Sequence, residues 1–295
     1  MKKLYNFDSG EKLIDICMKH NKKIWEVMIL REVENTEKSY NEIFDQMEDN
    51  LDTMMNAVEK GLNDEIKSIS GLVGGDAKKL KERYDNAKGL SGKTTLKAVA
   101  GAMAVLEVNA SMGQIVAAPT AGSSGVLPGV LHAIKEDFQV EKNRLVEGLF
   151  TASAIGLIIA KNATVSGADG GCQAETGSAA AMASAAIVEL EGGSPKESLH
   201  AAAMTIKNIL GLVCDPIAGL VESPCVKRNA IGATNALISA DMALARIESI
   251  IPFDEVVEAM YKVGKLLSPS LKETALGGLA ATPTGIRIAK EIFGK

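Results

Sequence analysis

The chain has 295 residues, 46% hydrophobic and only 4% aromatic, with a formal net charge of −5. That length supports one large or two ordinary domains with a complete core, and the scarcity of aromatics favours closely packed helices over an aromatic-rich β-sandwich. The acidic balance leaves no electrostatic footprint for nucleic acid and no attraction to an anionic membrane surface.

The first residues, Met1-Lys2-Lys3-Leu4-Tyr5-Asn6-Phe7-Asp8, lack the apolar stretch and cleavage site of a signal peptide. No apolar run reaches the length of a membrane span, since Leu149 to Ala160 is interrupted by Thr, Ser and Gly and ends at Lys161. The expectation is a cytoplasmic protein whose reducing surroundings leave its four cysteines as free thiols.

Asp8-Ser9 caps a first helix, Gly10 to about His20, in which Cys17 reads as a core residue and His20 as a helix-end residue. From Asn21 to about Gly61 an apolar stripe runs through Ile24, Val27, Met28, Ile43, Leu51, Met54 and Val58, which predicts one or two long helices with a solvated charged face. A boundary near 61–75 separates a charged N-terminal helical arm, 1–70, from a compact body, 71–295.

The stretch Gly89-Leu90-Ser91-Gly92-Lys93-Thr94-Thr95 imitates a phosphate-binding loop. It has Ala87 where that motif requires glycine and no buried strand before it, so a loop leading into a capped helix explains it better. That helix, about Thr95 to Gly113, runs into Pro119-Thr120-Ala121-Gly122-Ser123-Ser124-Gly125, a string of hydroxyls and amides before another helix beginning near Val126. An anion cradle at Thr120, Ser123, Ser124 and Gly125 and an ordinary helix cap explain this string equally well. His132, in the helix that follows, keeps an open role.

Further helices are expected over Glu141 to Lys161, Glu175 to Leu190, Pro195 to Leu210, Lys227 to Arg246 and Phe253 to Leu267. The small-residue segments 151–160, 179–187 and 230–245 are apolar nearly all round and belong at the centre. The fold class is therefore all-α: a compact bundle of Ala- and Gly-rich helices with long functional loops. Solvation alone does not explain the loop residues Asn162, Ser166, Asp169, Arg228 and Asn229. The ending, Leu276 to Gly285, is too apolar for a free tail and is expected to dock on the body.

Three of the four cysteines, Cys172, Cys214 and Cys225, stand where Gly or Pro breaks regular structure. Cys172 follows Gly170-Gly171 at an expected helix N-terminus, where the dipole favours a thiolate. Cys214 and Cys225 lie on a loop whose path Pro216, Gly219 and Pro224 fix. Neither zinc-ribbon nor ferredoxin spacing is present. Three soft ligands leave one position for water or substrate, and they suit zinc or an iron–sulfur cluster.

Glu107-Val108-Asn109-Ala110-Ser111-Met112-Gly113, Ala117 to Gly125, Gly171-Cys172-Gln173-Ala174-Glu175, Cys214-Asp215-Pro216 and Pro224-Cys225 together closely resemble the iron–sulfur-dependent L-serine dehydratases. The resemblance covers most of the chain from about Gly71 and is to the α subunit of the two-subunit form. The family's smaller β domain finds no counterpart in this sequence. The resemblance implies deamination of L-serine to pyruvate and ammonia with a four-iron four-sulfur cluster and no pyridoxal phosphate. Cys172, Cys214 and Cys225 match its cluster ligands. Thr120, Ser123, Ser124 and Gly125 are then the expected partners of the substrate carboxylate, with Asn162 a further one. It also implies a hetero-oligomer with a β subunit that supplies a His base, so that this chain alone is inactive. A lyase acting on threonine or cysteine and a non-catalytic zinc or cluster scaffold remain as rival readings.

Overall fold

The computed structural model describes residues 3–294, and within them the regular structure is helical. Helices α1 (Gly10–His20), α2 (Ile24–Asn35), α3 (Tyr40–Asn63), α4 (Asp76–Asp85), α5 (Lys93–Ala110), α6 (Val126–Phe138) and α7 (Lys142–Asn162) make up the first half. A single turn, α8 (Gly167–Gly170), leads into α9 (Cys172–Leu190), followed by α10 (Pro195–Lys207), α11 (Cys225–Leu244), α12 (Phe253–Leu266) and α13 (Pro283–Phe293). Among the described residues the extended pairing is limited to one isolated parallel bridge, Cys214 with Lys272.

The starts of these helices follow local chemistry. Ser9 accepts from the Lys12 amide, Ser39 and Glu42 form a reciprocal capping box, and Ser194 and Glu197 do the same with Pro195 in the first turn. Of the one or two helices expected between residues 21 and 61, two form, because the chain breaks after Asn35 and restarts at the Ser39 cap. α8 and α13 were not expected from the sequence.

α9 is the central helix: from Cys172 to Glu189 every residue except the half-exposed Glu175 is buried. Its Ala, Ser and Gly side chains let α6, α7, α10 and α11 approach it from all sides. α5 and α6 cross in close contact, and a Cβ at Gly129 would fall 2.3 Å from the Ala102 amide nitrogen. No rotamer relieves a clash with backbone, so Gly129→Ala is expected to push the two helices apart and cost about 2 kcal/mol. A fall in denaturant midpoint at unchanged m-value checks this.

The stripe expected between residues 21 and 61 is buried: Ile24, Val27 and Leu51, together with Phe7 and Leu13, share one hydrophobic core with Leu131, Phe150, Ile155 and Ala180. α9 also holds α2 electrostatically. The buried Glu189 carboxylate accepts from the Ile24 and Trp25 amides at 2.6 and 3.2 Å and from the Thr151 hydroxyl of α7. α7 is long and apolar enough by composition to cross a membrane, yet Leu145, Leu149, Phe150, Ile155 and Ile159 face this same core. The C-terminal stretch docks as expected: the Leu279 amide donates to Asp215 at 2.7 Å and Ala280 is buried.

Candidate active site

Cys172 is the first residue of α9 and Cys225 the first of α11, three and two residues ahead of the expected helix starts. Both thiols therefore sit at helix N-termini, and each helix repeats a pattern. Cys172 is followed at i+3 and i+4 by Glu175 and Thr176, and Cys225 by Arg228 and Asn229, a spacing that puts all three residues of each set on one face. The Cys172 Sγ lies 3.1 Å from the Thr176 hydroxyl.

Cys214 arrives by a different route. Its amide donates to the Leu271 carbonyl at 2.9 Å, and its carbonyl accepts from the Glu273 amide at 2.7 Å. Asp215 locks the same segment from two sides, pairing with Arg228 Nη1 at 2.8 Å and taking the Leu279 amide, while Arg228 also donates to the Val213 carbonyl at 2.9 Å. All three cysteines are buried and free, as is Cys17, which lies in the core of α1 away from them.

Burial outweighs what the helix ends offer these thiols. It pushes all three upward, Cys225 to about 12, and for Cys214 and Cys225 a charge on Cys172 acts in the same direction. The thiols are thus close enough to oppose one another's ionisation, with Glu175 and Glu273 adding to the effect on Cys214 and Cys225 and Arg228 easing Cys172 and Cys225. Among the described residues no three His, Cys, Asp or Glu side chains close tightly enough on one point to hold a single metal ion.

The hydroxyl loop lies against this corner. The Thr120 hydroxyl donates to Glu175 Oε1 at 2.5 Å, and Ser123 Oγ stands 3.0 Å from Thr120 Oγ1. Because the Thr120 hydrogen is committed to the carboxylate, Ser123 is the donor to Thr120. Ser124 turns its hydroxyl back to the Ala121 carbonyl at 2.8 Å, and the Gly125 amide donates to Asn229 Oδ1 at 3.1 Å. The cap reading therefore accounts for Ser124 and Gly125, and Thr120 and Ser123 are directed at a carboxylate. The fifth expected residue, Asn162, ends α7 and gives its amide to the Asp8 and Ile158 carbonyls at 2.7 and 2.8 Å. No hydrogen bond among the described residues joins it to the loop.

Asn229, wholly buried, ties the parts together. Besides accepting from Gly125 it donates to the Gly122 carbonyl at 2.8 Å and to the Cys225 carbonyl at 3.0 Å. The histidines stand elsewhere: His20 packs on the Tyr5 ring, His132 lies on α6, and His200 Nδ1 accepts from the Ser249 amide. A cleft of about 700 Å³ between the Glu65–Asp76 loop and α4 has no cysteine or hydroxyl-loop residue in its wall.

Fold and site define an all-helical protein organised round three free, buried thiols and a hydroxyl loop. The chain belongs to the serine dehydratase alpha chain family, which matches residues 19–280. It is 55% identical over 288 residues to the probable L-serine dehydratase alpha chain of Bacillus subtilis, covering 98% of this chain and 96% of that one. To the L-serine dehydratase alpha chain of Peptoniphilus asaccharolyticus it is 46% identical, covering 97% and 98%. The L-serine dehydratase of Helicobacter pylori is 36% identical over 94% of this chain, which spans 62% of that protein.

Proposed function

We propose that this chain is the cluster-bearing α subunit of an L-serine ammonia-lyase, acting in the cytoplasm with a β subunit to convert L-serine to pyruvate and ammonia. The observation that carries the reading is the convergence of Cys172, Cys214 and Cys225 from two helix ends and an extended segment onto one buried corner. Three soft donors that are buried and free of disulfides suit a four-iron four-sulfur group. Cys172, Cys214 and Cys225 would hold it, leaving one iron without a protein ligand.

When bound, such a cluster supplies a Lewis acid that takes the charge developing on the departing serine hydroxyl. The chain's own contribution is a dry, shaped corner. Arg228 and Asp215 hold the Cys214 segment, Asn229 clamps the hydroxyl loop to α11, and Thr120, held by Ser123, fixes the Glu175 carboxylate. Loss of the α-proton and the β-hydroxyl gives aminoacrylate, which tautomerises and hydrolyses without further help. The absence of any hydrogen bond between the three histidines and this corner, among the described residues, supports a base supplied by the β subunit. The Helicobacter relative extends well beyond the part this chain matches, which supports a second functional segment.

Anaerobic reconstitution with iron and sulfide, read by Mössbauer and EPR spectroscopy with and without L-serine, tests the reading. A four-iron cluster with one iron site that changes on adding serine is expected, with turnover appearing only when the β subunit is added. A chain that forms no cluster, or one whose cluster ignores serine with the β subunit present, overturns it.

A further inference from the structure

Glu175 is met by fewer groups than most of the other buried or half-buried carboxylates, sharing with Glu222, which takes only the Ser70 hydroxyl, the lack of any amide or cation. Glu107 takes the amides of Gly75, Asp76 and Ala77, and Asp254 those of Gly10 and Glu11. Glu189 has two amides and a hydroxyl, and Asp215 an amide and a guanidinium. Glu175 has one hydroxyl, Thr120, on Oε1. Among the described residues no amide and no cation meets it, and the charge of Glu273, a second carboxylate, opposes its ionisation. Burial holds the Glu175 carboxyl above the usual carboxylate range, and a cation arriving beside its free oxygen would favour the charged form.

Its position suits such a cation. The carboxyl group lies in a slot between two glycines: a Cβ at Gly122 would fall 2.5 Å from Oε1, and one at Gly167 would fall 3.2 Å from Oε2 and 2.9 Å from Cys214 Sγ. Oε2, which has no hydrogen-bond partner among the described residues, and the Cys214 thiol thus flank the same bare stretch of backbone. Any side chain on that backbone would crowd both groups. Oε1 is oriented from behind by Thr120, itself held by Ser123.

We propose that Glu175 receives the α-ammonium group of the amino-acid substrate on Oε2, with Thr120 and Ser123 acting as positioning residues that fix the carboxylate. The inference rests on the reading of this corner as the serine-deaminating site. It gives the hydroxyl pair a task other than binding the substrate carboxylate, and it makes a positively charged amine a condition of tight binding.

The test is Glu175→Gln in the full chain, reconstituted with cluster and β subunit, compared with wild type for L-serine turnover and for calorimetric binding of L-glycerate, which keeps the carboxylate and β-hydroxyl but lacks the ammonium. Gln still accepts from Thr120, so the cluster spectrum and thermal midpoint are expected to stay as in wild type. The KM for L-serine is expected to rise by at least about 30-fold, as when one partner of a buried charge pair is removed, while glycerate affinity changes by less than about 3-fold, since its hydroxyl, being uncharged, loses only a hydrogen-bond acceptor of similar shape. A smaller loss in Glu175→Asp, which keeps the charge, is the supporting rescue. An unchanged serine KM, an equal loss for serine and glycerate, or an altered cluster spectrum overturns the role of Glu175. Failure of the wild-type complex to turn over serine at all overturns the underlying reading instead.

Discussion

Changing any one of Cys172, Cys214 and Cys225 to Ser is expected to reduce cluster retention after anaerobic reconstitution by at least about 100-fold, past the 10- to 100-fold that a change outside the ligand shell costs. Dehydratase activity in the presence of the β subunit should fall with it. The three thiols reach one corner from three separate pieces of chain, so a neighbour cannot take over when one is lost. Ser keeps the volume but offers a harder, less acidic donor that iron–sulfur clusters hold poorly. Cys17→Ser is the control. It sits in the core with Leu13 and Ile24, and burying a hydroxyl there should cost roughly 1–2 kcal/mol of stability with iron content and activity unchanged. Iron and sulfide assay alongside a melting curve separates the two effects. Full iron content in any of the three site variants, or equal loss in the Cys17 variant, would contradict the three-thiol reading.

The cysteines were legible because each stands at a Gly or Pro break, and the central helices because their small apolar residues run all round. The rest of the site was harder to see. Glu175 reads in one dimension as an ordinary glutamate in the first turn of a helix. Its meaning comes from Thr120, 55 residues earlier, which only the packing of the hydroxyl loop against α9 brings within 2.5 Å. The available signal was the i, i+3, i+4 pattern shared by Cys172-Glu175-Thr176 and Cys225-Arg228-Asn229, and it shows only once both cysteines are known to open helices. The pairing of Cys214 with residues 271–273 has no local signature, because one isolated bridge carries no alternation. α13 did carry a start signal, Thr282 capping with Pro283 in the first turn, but Leu276 to Gly285 read only as a stretch that docks on the body.

The apolar stripe of residues 21–61 was equally visible, whereas the face it packs on was not. Glu189 supplies the missing information. A lone carboxylate near the C-terminal end of α9, where the helix dipole is unfavourable to it, is retained because it caps α2 from outside that helix. Such long-range caps cannot be read from either helix alone.

Asn229→Ala is expected to lower stability by about 3 kcal/mol or more, the largest loss for a polar residue of this site. Its side chain makes three hydrogen bonds in a place closed to water, to the Gly125 amide and to the Gly122 and Cys225 carbonyls. Truncation strands the Gly125 amide outright, and each buried polar group left unpaired costs roughly 1–3 kcal/mol. Since those bonds hold the hydroxyl loop to the first turn of α11, the loss is expected to reach function as well, with Thr120 no longer held against Glu175. Asn229→Asp separates the two halves of the clamp. It keeps an acceptor for the Gly125 amide but turns an oxygen toward two carbonyls, so it should be no more stable than the Ala variant at neutral pH and should recover as the carboxyl is protonated and becomes a donor. Urea unfolding across pH, followed by cluster loading, measures both. If both variants unfold at the wild-type midpoint and load cluster normally, the loop is held by its own cap and not by α11, and Asn229 has no part in building the site.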